Sequence, residues 1–100
     1  MDADRRIVKV SRAVFEALDR ELGVDRGPDG EPSADDFLVV DLLPMVEVFA
    51  RRFDELPEHI PGRPDYRVLS SAGLLARAVA VVGQLNPDDT IELVSIRIDL

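Results

Sequence analysis

The sequence contains no cysteine. That excludes a disulfide framework, a thiol nucleophile and a Cys-ligated zinc or iron–sulfur site, and makes a cytoplasmic setting the default expectation. Long apolar runs are also missing. The longest, LLARAVAVVGQL (74–85), carries Arg77; it falls short of the roughly 18 residues a membrane-spanning helix needs. The opening MDADRRIVKV lacks the apolar core of a signal peptide, so a soluble chain without membrane partners is expected. Glycines are few and scattered at turns, and none forms a phosphate-cradling motif. Bases are scarce as well: twelve against twenty acids, for a net charge of −8. Affinity for phosphates comes largely from counterion release at a basic surface, so direct nucleic-acid binding is not expected. Fifteen of the twenty acids precede residue 61, which makes a basic partner more plausible than an acidic one for that half. No cofactor is expected.

What is present fits a folded chain. One hundred residues, 46% of them hydrophobic, are enough for a single domain (1–100) with its own core. In RRIVKVS (5–11), Val8 and Val10 share one face, as in a short strand. Ser11 fits an N-cap, and RAVFEALDREL (12–22) follows with Val14, Leu18 and Leu22 at four-residue spacing and Phe15 beside them. Gly23 is the expected helix stop. GVDRGPDGEPS (23–33) reads as a loop.

Ser33, with Asp35 and Asp36 behind it, marks a second helix start. Phe37, Val40, Met45, Val48, Phe49, Phe53 and Leu56 then lie near one face of a helix running to about residue 56. Pro44 opposes an uninterrupted helix, because it removes one donor and crowds the preceding turn. One kinked helix is favoured. A strand over 37–43 followed by a helix with Pro44 in its first turn stays open.

LPEHIPGRPD (56–65) reads as an extended linker. Three β-like runs follow it: YRVLSS (66–71), LLARAVAVVGQL (74–85) and TIELVSIRIDL (90–100). Ala72-Gly73 and NPDD (86–89) are the turns of an antiparallel meander. Strict alternation in the last run sets Val94, Ile96 and Ile98 against Ser95, Arg97 and Asp99, with Ile91 and Leu93 on the latter side. The expected fold is α+β: a strand, a two-helix hairpin, then a three-stranded antiparallel meander, with the helices on one sheet face.

GRPDYRVL, ARAVAVVG and IELVSIRI, in this order of elements, resemble the RelE/ParE toxin superfamily. The resemblance implies a toxin–antitoxin component. Some members cut mRNA with basic residues on the sheet face, and others act on DNA gyrase. Both kinds are neutralised by an antitoxin segment wrapped over them. By position, Arg67 matches the arginine of the Tyr-Arg-Val strand entry, and Arg77 and Arg97 lie in strands where the family places basic residues. The chain's acidity departs from the RNA-cutting members. The resemblance therefore points to a protein-interaction domain more than to an enzyme. The alternative is a stand-alone acidic adaptor with no toxicity.

The candidate catalytic residues are Arg67, Arg77 and His59, and the candidate binding residues are Tyr66, Arg67 and Arg97. Tyr66 and Arg67 have the chemistry to hold a phosphate. Arg77 interrupts an apolar strand, and if buried it needs a partner such as Asp99 or Asp65. His59 is the only side chain that titrates near neutrality when unperturbed, but neither a triad nor metal-ligand spacing surrounds it. Neither PDG (28–30) nor NPDD supplies the alternating oxygens of a calcium loop, so no metal site is expected. A last strand at the sheet edge would pair with a partner segment or with a second copy, giving a homodimer.

Overall fold

Arg12–Glu21 (α1) and Ala34–Arg52 are helical, and four strands complete an α+β fold, in a computed structural model that describes residues 5–22, 33–73 and 76–99. The strands are β1 (Val8–Val10), β2 (Tyr66–Ser71), β3 (Ala78–Leu85) and β4 (Ile91–Asp99), joined in one mixed sheet of order β1-β4-β3-β2. β2, β3 and β4 pair antiparallel in sequence, whereas β1 joins β4 in parallel. The last strand is therefore interior, not an edge. The capture is made by backbone bonds: Ile91 N–H donates to the Ile7 carbonyl, and Ser11 N–H donates to that of Leu93. Val8 and Val10 thereby stand opposite Ile91 and Leu93. β1 and β2 are the edges.

Ser11 begins α1 through its carbonyl, which accepts from Val14 and Phe15 N–H; its hydroxyl makes no cap bond. Val14, Leu18 and Leu22 are buried, as the spacing predicts, while Phe15 is largely exposed. Leu22 closes the helix by donating to the Leu18 carbonyl. The expected stop at Gly23 and the loop over 23–32 lie outside the described residues.

Ser33 caps the second helical segment reciprocally. Its hydroxyl accepts from Asp36 N–H at 3.1 Å, and the Asp36 carboxylate accepts from Ser33 N–H at 3.3 Å. The chain then stays helical past Pro44. α2 (Ala34–Phe37) leads into a π-helical turn (Leu38–Leu42), then α3 (Leu43–Arg52) and a final 3₁₀ turn (Phe53–Glu55). The strand alternative over 37–43 is thus excluded. Leu43 N–H reaches back five residues to the Leu38 carbonyl, so the turn ahead of Pro44 is widened where proline would otherwise crowd it. The extra residue shifts the buried face. Asp41 and Leu42 turn inward, and Val40, expected in the core, is more than a third exposed.

A second inserted residue alters the sheet. Val82 pairs with Ser95 but Gly83 pairs with Leu93, which leaves Val94 as a β-bulge. Ile91 and Leu93 therefore share a face with Ile96 and Ile98, contrary to strict alternation. The same face carries Val79 and Val81, and these residues form one apolar cluster with Val14 and Leu18 of α1 and Phe49 of α3. Gly83 also lies on this face, where a side chain would run into the Phe49 ring. On the opposite face stand Val68, Ser70, Ala80, Val82 and Arg97. The expected two-residue turn at Ala72-Gly73 is wrong, because β3 begins only at Ala78.

Candidate functional site

The Gly-Arg-Pro-Asp-Tyr-Arg junction is built by its own arginines. Gly62 adopts φ +85°, a conformation that favours glycine, and Tyr66 N–H closes a turn on the Arg63 carbonyl. The Arg63 guanidinium forks onto Asp65 at 3.1 and 3.0 Å and stacks over the Tyr66 ring at 4.9 Å. This pairing raises the Arg63 pKa and holds the Asp65 carboxyl below its ordinary range. Arg67 donates at 2.8 Å to the carbonyls of both Pro64 and Leu56, and its guanidinium lies 5.9 Å from the Phe53 ring centre. Arg67 is thus committed to the fold: it ties the linker to β2.

The linker is not merely a spacer. Glu58 bridges Arg67 in antiparallel fashion, His59 N–H donates to the Tyr66 carbonyl, and Val68 N–H donates to that of Pro57. Residues 57–59 therefore cover the first half of the β2 edge. His59 itself is exposed. It stands beside the start of β2, and among the described residues no hydrogen bond or ion pair joins its ring to another side chain. Among the described residues no group of three or more His, Asp or Glu is placed to hold a metal ion. No described helix is long and apolar enough to cross a membrane.

Arg77 and Arg97 are different. Arg77 precedes β3 and is exposed, so it needs no buried partner, and Asp65, one of the two acids expected to pair with it, is held by Arg63. Arg97 pairs with Ala80 across the strands on the face away from the core cluster. Neither guanidinium has a hydrogen bond or ion pair among the described residues. Most other described arginines do: Arg5 and Arg51 hold Glu47, Arg6 holds Asp54 and Asp89, Arg12 pairs with Glu16, and Arg52 with Glu55. These two arginines line one open trough of about 630 Å³, floored by Ser70, Ala78 and Ala80 and shared with Asp99.

A second cavity, of about 310 Å³, lies beside it. Val40, Pro44, Met45, Val48 and Leu69 give it apolar walls. The groove and the trough meet at Ser71 and Ala72, which line both. The buried Asp41 carboxylate fixes the groove's end: it accepts from Ala76 N–H at 3.0 Å, and Gly73 N–H donates to the Ala76 carbonyl. Sequence reading picked out Arg77 and Arg97 but missed this groove. Its signal was Pro44 itself, since a proline inside a helical pattern marks where the helix must widen or break.

Compared with family models, curated proteins and solved structures, the chain matches none of them.

Proposed function

We propose that this chain is a RelE/ParE-like protein-interaction domain. It acts in the cytoplasm as a toxin–antitoxin component or a non-catalytic relative, by binding protein rather than by catalysis. The observation that carries this reading is the open trough lined by Arg77 and Arg97, neither of which has a partner among the described residues. In a chain of net charge −8, two exposed arginines without partners among the described residues are positioned for something outside the fold. The order of elements, a strand and helical segments followed by three antiparallel strands, agrees with the resemblance. Catalysis is disfavoured by the separation of His59 from the arginine pair and by the structural employment of Arg67. The partner is an antitoxin-like segment or a second copy of the chain.

The test is growth of a bacterial host after induction of the wild-type chain and of the double variant Arg77→Ala/Arg97→Ala. Arg67→Ala is a poor control, because Arg67 holds the linker. Arrest by wild type that the double variant relieves supports the reading. No arrest from well-expressed, folded protein sinks an autonomous toxin in that host and favours the acidic adaptor.

A further inference from the structure

We infer that the groove and the trough form one continuous docking site for an extended peptide with apolar residues at one end and a carboxylate at the other. This rests on the reading of the chain as a protein-binding domain and names the chemistry of its partner.

The backbone supplies the template. Tyr66 and Val68 turn their backbone groups away from β3, toward residues 57–59. By strand alternation Ser70 turns its N–H and C=O the same way. Past Pro57 no described segment pairs with them. An incoming strand is therefore offered the second half of the β2 edge, in the manner of β-augmentation. The part of it that pairs with the edge is bounded by Val68 on one side and by the connection after Ser71 on the other.

The side-chain requirements follow from the two ends. Next to Leu69, the groove presents Val40, Pro44, Met45 and Val48, and Leu43 stands about half exposed nearby on the same helix. A side chain entering there must be apolar. Beyond Ser71 and Ala72 the surface changes to Arg77 and Arg97 over small residues. A carboxylate on the peptide would complete the pairs that these guanidiniums lack, and a guanidinium fork suits a carboxylate's two oxygens. Asp99 shares the trough, so its three charged side chains sum to one positive charge. That balance suits one carboxylate and opposes a run of phosphates, as does the chain's overall negative field.

The experiment selects a display library of random peptides against wild type, Arg77→Ala/Arg97→Ala and Val40→Glu. Wild type is expected to enrich peptides in which leucine, isoleucine or valine is followed by aspartate or glutamate. The arginine double variant loses the acidic preference, and Val40→Glu loses the apolar one. A synthetic enriched peptide then loses about fivefold in affinity for each arginine removed, as for a partly exposed ion pair. No enrichment, or enrichment that both variants keep, overturns the inference. A uridine oligonucleotide whose binding depends on the arginines but not on Val40 also overturns it, in favour of a nucleic-acid ligand. The broader reading is tested separately by growth. Arrest without peptide enrichment refutes only the peptide chemistry, whereas enrichment without arrest refutes the toxin and keeps the site.

Discussion

Replacing Gly83 by alanine tests how the helical layer seats on the sheet. A Cβ built on Gly83 lies 2.6 Å from Phe49 Cε1, 2.8 Å from Cδ1 and 3.4 Å from Ile91 Cγ2. Ordinary carbon contacts are about 3.5–4.0 Å, so the ring would have to retreat by roughly 1 Å. Phe49 has nowhere to go. It is fully buried, and the Phe53 ring stands 6.4 Å away at a 45° tilt. Overpacking of this kind costs about 1–3 kcal/mol. Alanine returns about 0.4–1 kcal/mol by restricting the unfolded chain. The expected net loss is about 1–2 kcal/mol, seen in urea denaturation, with Tm lower by roughly 5–15 °C for a domain of this size.

A partner substitution makes the test specific. Phe49→Leu alone opens a cavity and should destabilise by about 1–3 kcal/mol. In Gly83→Ala/Phe49→Leu the new methyl enters space that the ring has left, so the double variant should be more stable than additivity predicts by about 1 kcal/mol. Gly83→Ala at wild-type stability, or a coupling energy within about 0.5 kcal/mol of zero, would refute the proposed seating of Phe49 over Gly83. The spacing of α3 from β3 would then differ from that described, and with it the width of the groove.

Arg67→Ala should lower stability by about 1–2 kcal/mol in urea, since it releases two carbonyls and uncovers Phe53, whereas Arg77→Ala and Arg97→Ala should each stay within about 0.5 kcal/mol of wild type. Asp41→Ala should destabilise by about 1–3 kcal/mol by leaving the Ala76 N–H without its acceptor, and Gly73→Ala, whose methyl would collide with the Asp41 carboxylate, should destabilise in the same direction. The Glu47 carboxyl is held down from 4.5 to about 2 by hydrogen bonds from Arg5 and then Arg51. A depressed folded pKa stabilises fully above the unfolded value, so this contribution should fade as pH falls from 4.5 toward 2, and Glu47→Gln should flatten the urea midpoint across that window.

Local chemistry was legible in the sequence wherever a residue acts on its near neighbours. The Ser33 cap, the Val14–Leu18–Leu22 stripe and the antiparallel order of β2, β3 and β4 are all of this kind. Arg67 was harder. A Tyr-Arg strand entry looks the same whether the guanidinium binds a phosphate or two backbone carbonyls, and only the path of the linker decides between them. The interior place of β4 also depends on a distant event, its capture by β1 across most of the chain.

Face assignments failed at two places, and the cause is the same in both. Periodicity arguments assume that every residue advances the element by one fixed step. The π-helical turn at Leu38–Leu42 and the bulge at Val94 each insert one residue out of step. Before the bulge, Leu93 faces the core; continued alternation would have put Arg97 there as well. The bulge turns Arg97 to the open face and brings Ile96 and Ile98 inward, sparing the core a buried charge. The π turn likewise leaves Val40 at the lip of the groove while sending Asp41 inward to grip the Ala76 amide. The residues misplaced by periodic reading are thus ones that build the two halves of the candidate site. Inserted residues re-aim side chains, and natural chains keep them where that re-aiming is used. Deleting Val94 would put this to the test. It should restore strict alternation with Leu93, Ile96 and Ile98 still inward and Arg97 still outward, so cooperative unfolding in urea should survive; a deletion variant that no longer unfolds cooperatively would refute Val94 as the inserted residue.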